Sequence, residues 1–124
     1  MAKNKWNKYF EITTYENLAK MALGTIKKFG DKNAIRWFEE DGETVGSLTY
    51  NAVGEYMRAT FGALHSLGYT KSDHIAICSE TRREWVFSDL GLQALGGVTV
   101  AVYPSFKPKE IEYIVKDAEI KLIF

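Results

Sequence analysis

The sequence predicts an α/β fold: a partial three-layer arrangement whose short parallel sheet is built from two βαβ units, preceded by a helix and a β-hairpin. Three observations carry this reading. Apolar runs of strand length recur at residues 74–78, 98–102 and 120–124. Between them lie two segments with the helical spacing of apolar residues. Upstream, the turn signal Asp41-Gly42 separates two shorter strand-like runs.

Each element has a local reason. From Tyr15 to Phe29, Leu18, Ala22, Ile26 and Phe29 recur at helical spacing, and Gly30 supplies a residue that tolerates the left-handed conformation past a helix end. Residues 34–39 read as a strand, and Val45 to Leu48 return as the second arm of the hairpin. Thr49 is an N-cap for the next helix, whose stripe is Val53, Met57, Phe61 and Leu64 and which ends at Leu67-Gly68. Ile75 to Cys78 is a short apolar strand, and Thr81 caps a helix running to about Leu95. Val98 to Val102 has almost no polar face, as expected of a buried parallel strand. Pro108 suits the first turn of a helix carrying Ile111, Ile114, Val115 and Ala118. Ile120 to Phe124 is the third strand, and both crossovers are expected to be right-handed.

These elements divide one incomplete domain, 1–124, into three stretches. Residues 1–14 are a docking arm in which Lys3, Lys5 and Lys8 alternate with Trp6, Tyr9 and Phe10; 15–67 hold helix, hairpin and helix; 68–124 hold the βαβαβ run. The helix from Arg82 to Leu95 is apolar on more than one side. Phe87, Leu90 and Ala94 form one stripe, and Trp85 and Leu92 lie around from it. A helix of that kind is normally covered on both sides. Together with an apolar strand at Phe124, this leads us to expect a fragment of something larger, with the remainder of that chain as its first partner. A homodimer or a strand-exchanged association is the other partner this surface suggests.

Composition narrows the function classes. The 124 residues carry 16 Lys plus Arg and 16 Asp plus Glu, for a formal net charge of +0. A nucleic-acid binder needs a clustered excess of cations, so no nucleic-acid partner is expected. The single cysteine, Cys78, excludes an internal disulfide and any site that needs several thiolates. It suits a reducing compartment. No apolar run approaches the roughly 18 residues of a spanning helix. The expected location is cytoplasmic, with at most peripheral membrane contact through the lysine- and aromatic-bearing arm.

The search for chemistry is mostly negative. A dinucleotide site needs glycines between strand and helix, where the backbone approaches the pyrophosphate. The corresponding turns here are Ser79-Glu80-Thr81-Arg82 and Tyr103-Pro104-Ser105-Phe106, both without glycine. Gly96-Gly97 reads as a helix stop, and the glycines between Gly42 and Ser47 belong to a hairpin without the lysine of a phosphate loop. His74 and Cys78 stand roughly 13 Å apart along a strand, too far to form an activated pair. His65 reads as a surface histidine. Glu39, Glu40, Asp41 and Glu43 surround a turn, and Glu110 and Glu112 favour a helix dipole. Arg82, Arg83 and Glu84 open a helix beside Trp85; a local ion pair with a packing tryptophan is preferred to a ligand role for Arg82 or Arg83. The residues therefore assign no catalytic, cofactor-binding or metal-ligating position.

The order of the signals says more. Leu48-Thr49-Tyr50, Leu67-Gly68, Lys71 to Ile77, Glu84-Trp85, Ala94 to Val98, Val102-Tyr103-Pro104 and Glu112-Tyr113-Ile114 follow one another along the chain. This succession resembles the N-terminal region of AMP-forming acyl-CoA synthetases, most of all the long-chain fatty acid–CoA ligases. The likeness spans about residues 45–124, and the preceding helix and hairpin also fit it. Ser79 to Trp85 looks like the stretch before the family's second helix, which more often has asparagine where Thr81 stands and proline where Arg83 stands. The resemblance implies a larger enzyme that uses ATP, Mg²⁺ and coenzyme A: fatty acid is activated to an acyl-adenylate and transferred to the thiol. It implies for this segment a scaffold role, inactive alone and with no cofactor held within it. A stand-alone α/β interaction or dimerisation module without catalysis is the alternative.

Overall fold

The computed structural model describes residues 14–124, so the predicted docking arm lies almost wholly outside the described residues. Helix α1 (Leu18–Phe29) starts three residues later than the apolar spacing suggests, because Asn17 is its cap and accepts from the Lys20 N–H at 2.9 Å. Gly30 ends it with φ +41°, and its N–H returns to the Ile26 carbonyl. The hairpin follows: β1 (Asn33–Phe38) pairs antiparallel with β2 (Val45–Thr49), with Trp37 opposite Gly46 and Phe38 opposite Val45. Asp41 shapes the turn by accepting from the Glu43 and Thr44 N–H groups at 2.9 and 2.8 Å.

Thr49 caps α2 (Tyr50–Ser66) as expected, its hydroxyl accepting from the Ala52 N–H at 3.2 Å. Val53, Met57 and Leu64 of the predicted stripe are buried, but Phe61 is not. It is 37% exposed and stacks on the His65 ring at 5.9 Å. The reason is the close approach of α3 (Arg83–Leu95) to α2 at Thr60. A Cβ at Gly91 would fall 2.4 Å from the Thr60 Cβ, so the inward-facing line passes through Thr60 and leaves Phe61 outside. At the start of α3 the cap is Arg82 rather than Thr81, and Arg82 makes no side-chain cap bond. The Arg82 carbonyl instead takes the Trp85 N–H at 3.2 Å.

The parallel sheet has the order β4–β3–β5, from β3 (His74–Cys78), β4 (Val98–Val102) and β5 (Leu122–Ile123). The third strand is shorter than the apolar run 120–124, although Phe124 still exchanges backbone bonds with β3 through Ala76 and Cys78. Connection β3–α3–β4 leads to one neighbour of β3, and β4–α4–β5, through α4 (Pro108–Asp117), leads back to the other. Side chains alternate along a strand, which separates the two faces. Ile75 joins Leu64 and Leu92 in the core under α2 and α3, with Tyr69, Leu95 and Leu122 around it. Thr99 donates to Asp89 at 2.7 Å and ties β4 to α3 on that face. His74, one residue from Ile75, serves the other face: its Nδ1 donates to the Ala118 carbonyl at the end of α4, at 2.6 Å. Helices α3 and α4 thus lie on opposite faces, which makes the third layer.

One expectation changes here. Val98 to Val102 is an edge strand rather than a doubly covered one, and Val98 is 42% exposed. Leu92, around from the Phe87 stripe of α3, is fully buried against Ile75 and Leu64, and Phe87 is buried as well, so this helix is covered on more than one side as expected. Burying each of these aliphatic side chains contributes about 1.5–3 kcal/mol, so this cluster is the strongest single anchor of the fold.

Candidate functional site

A concave feature with converging polar groups lies between the hairpin and the α2–α3 pair. It encloses about 470 Å³ and is lined by Trp37 and Leu48 of the hairpin, Tyr56 and Thr60 of α2, and Arg83, Glu84, Phe87 and Ser88 of α3. Hairpin register places Trp37 here. Gly46 opposite it has no side chain, and a Cβ at that position would come within 2.2–2.6 Å of indole atoms. The indole therefore lies across the Gly46 backbone, and its Nε1–H donates to Glu39 at 2.9 Å. On the far wall Tyr56 and Phe87 stack at 4.3 Å with planes 8° apart.

Arg83 joins the two walls. Its guanidinium sits 4.2 Å from the centre of the Trp37 ring, and its Nε donates to Glu84 at 3.1 Å. Glu84 also takes the Arg82 Nε–H at 3.2 Å. Its own backbone N–H, then Arg83 and Arg82, hold the Glu84 carboxyl below the usual carboxylate range. Two guanidinium groups thus share the Glu84 carboxylate, and Glu39 lies on the other edge of the Trp37 indole. A planar guanidinium on an indole face is a favourable arrangement worth about 0.5–1 kcal/mol near the surface.

A second polar group has a structural task. Asp73 is buried before β3, where it accepts from Lys121 and from the Thr70 N–H at 2.7 Å. The bond from Lys121, then that from Thr70, pull the Asp73 carboxyl down, and the Lys121 ammonium is raised in return by Asp73. This pair clips the lead-in of β3 to the lead-in of β5.

The remaining sequence candidates stay apart. His74 is committed to Ala118, Cys78 is half-buried at the end of β3, and His65 is exposed beside Phe61. Glu112 pairs with Lys116 along α4, and Glu110 accepts from the Lys107 N–H at 2.7 Å. Among the described residues no group of three or more His, Cys, Asp and Glu could hold a metal ion. No helix among them is long and apolar enough to cross a membrane. The turn from β3 to α3 does not fit a nucleotide phosphate, because it offers no glycine and the Glu84 carboxylate occupies the first turn of the helix. Sequence reasoning missed the Trp37 cleft. The signal available was a glycine facing a tryptophan across the two strands of the hairpin.

The arrangement of hairpin, crossed helices and short parallel sheet is that of the N-terminal subdomain of adenylate-forming enzymes. It superposes on a structure described as the Klebsiella oxytoca NpsA N-terminal subdomain with a TM-score of 0.78, at 21% identity, covering 89% of this chain and 27% of that one. It matches the fatty acid AMP ligase from Legionella pneumophila with a TM-score of 0.79, at 15% identity over 89% of this chain and 19% of that one. Residues 24–124 match the family described as AMP-binding enzyme, and the chain belongs to that family. It is 26% identical over 113 residues to a crotonobetaine/carnitine–CoA ligase of Salmonella paratyphi A, covering 91% of this chain and 22% of the relative. It is 34% identical over 77 residues to the long-chain-fatty-acid–CoA ligase FadD15 of Mycobacterium tuberculosis, covering 62% of this chain and 13% of the relative. The chain thus spans about a fifth of the length of the curated relatives it matches.

Proposed function

We propose that this chain is the N-terminal scaffold segment of a fatty acid–CoA ligase. In the longer protein, fatty acid is activated with ATP and Mg²⁺ to an acyl-adenylate, and the acyl group passes to coenzyme A. The observation that carries the fatty-acid reading is the 34% identity over 77 residues to the long-chain ligase, beside 26% over 113 residues to the carnitine-type ligase. The scaffold reading rests on the site. The glycine-free β3–α3 turn and the ion-paired start of α3 leave the phosphate chemistry to other parts of the protein. No step of the reaction is therefore derived through ATP, Mg²⁺ or coenzyme A in this segment, and its own contribution is a rigid α/β wall.

The partner proposed for this wall is the rest of the longer chain. Val98 and Ile123, which lie on the α4 face, are 42% and 43% exposed, and an apolar edge of that kind suits a covering layer. The working compartment proposed is the cytoplasm, with membrane contact no more than peripheral. The test is a substrate panel on the longer protein: palmitate, crotonobetaine and anthranilate, each with ATP, Mg²⁺ and coenzyme A. Palmitoyl-CoA as the dominant product supports the reading; preference for either other acid overturns the fatty-acid part. The 124-residue chain alone is expected to form no acyl-CoA.

A further inference from the structure

We propose that the cleft between the hairpin and the start of α3 is a binding site for a planar organic anion, the matching class being an aromatic carboxylate. Its volume of about 470 Å³ falls within the range of small-molecule sites, roughly 300–1,000 Å³. Its walls are of the kind that hold a flat ring: Trp37 on the hairpin side, and the Tyr56–Phe87 stack on the helix side. Aromatic faces favour offset or edge-on partners with centroids several ångströms apart, which is the spacing a ring entering here would adopt.

Charge selects among flat molecules. Arg83 presents a guanidinium whose one face is already on Trp37 and whose Nε is on Glu84, and a guanidinium has five N–H donors in all. Glu84 is shared with Arg82 and takes Arg83 through Nε alone, so the terminal nitrogens of Arg83 are the charged donors the cleft offers a ligand. A cation gains nothing from them, and a neutral ring forfeits the charged hydrogen bonds. Thr60 and Ser88 add hydroxyls to the lining, which suits a carboxylate more than an alkyl chain.

Two features show that Trp37 is held in place to form this wall. The Gly46 backbone leaves the space that the indole fills, and Glu39 fixes the Nε1–H. The sequence reading ranked a ligand role for Arg82 or Arg83 below a local ion pair. The structure joins the two: Arg83 is ion-paired to Glu84 and also lines the cleft against Trp37, so Glu84 competes with a ligand for its guanidinium.

The Trp37 indole N–H is its own reporter. In ¹H–¹⁵N spectra of the 124-residue chain, with that signal assigned by Trp37→Phe, 2-naphthoate is titrated alongside 2-naphthamide and cyclohexanecarboxylate. The expected result is a saturable naphthoate shift at Trp37, with the neutral amide and the non-aromatic acid each about tenfold weaker. Arg83→Gln is expected to weaken naphthoate about tenfold, and Glu84→Gln to tighten it about threefold by freeing Arg83. Damage to the fold would only weaken binding, so the opposite directions of these two variants separate recognition from structure. The proposal is overturned by the absence of a saturable shift, by an equal response at the Trp85 indole, or by Arg83→Gln binding as the unaltered chain does.

Discussion

The two faces of the parallel sheet are built from similar residues and end in different states. On the α3 face, Ile75 and Leu92 are fully buried and Leu122 packs against them. On the α4 face, Ala76 and Val102 are buried, but Val98 and Ile123 remain more than two-fifths exposed. The helices reverse what their patterns suggest. α4 carries a clean stripe of Ile111, Ile114 and Val115, yet none of its residues is fully buried, whereas α3 is apolar around more of its girth and buries Phe87, Gly91 and Leu92. What differs is the layer beyond: α3 is sandwiched between the sheet and α2, and α4 has no second helix over it among the described residues. Burial is set by the neighbours an element meets, and the apolar pattern only states that a neighbour is wanted.

Substitutions can break or sharpen that contrast. The largest effect is expected at Leu92→Ala, which leaves a cavity between α2, α3 and β3 and costs about 3–4 kcal/mol in denaturant unfolding. Gly91→Ala places a methyl group 2.4 Å from the Thr60 Cβ and forces the helices apart, at about 2 kcal/mol. Thr49→Ala removes the hydroxyl that caps α2 and costs about 1 kcal/mol, read as a shift of the unfolding midpoint. On the open face, Val98→Ala is expected to cost well under 1 kcal/mol, about the size of an ordinary surface change. A Val98 effect as large as that of Leu92 would remove the contrast between the faces.

The last effect appears only away from neutral pH. Asp73 has a depressed pKa in the folded chain, so its contribution is present above the unfolded aspartate value and is lost as pH falls through the folded one. Lys121 has the opposite sign: its contribution holds below the ordinary lysine value and is lost as pH rises through the raised one. Unfolding midpoints followed below about pH 4 should fall in the unaltered chain and change less steeply in Asp73→Asn.

Local chemistry made much of the fold legible in advance. Thr49, Gly30, Pro108 and the Asp41-Gly42 turn act on neighbours a few residues away, and each stands where its chemistry requires. Thr81 was misleading because Thr and Arg both begin helices when the next turn provides other bonds, here Arg82 to Trp85 and Glu84 to its own N–H. Phe61 fits the stripe in one dimension, but the Thr60–Gly91 contact turns the helix by one residue. Val98 to Val102 is apolar enough for a central strand, and strand order is a property of the whole sheet. The Trp37–Arg83 cleft unites a hairpin and a helix distant in sequence, a pairing that no local spacing records.

The central claim is that this segment of an AMP-binding enzyme is a scaffold whose chemistry depends on the rest of a longer ligase. Pyrophosphate release with ATP, Mg²⁺ and palmitate tests it most directly, measured on the 124-residue chain and on the longer protein side by side. The account predicts palmitate-dependent release from the longer protein and none from the chain alone. Turnover by the 124 residues alone, or a longer protein that ignores palmitate while turning over another acid, would contradict it.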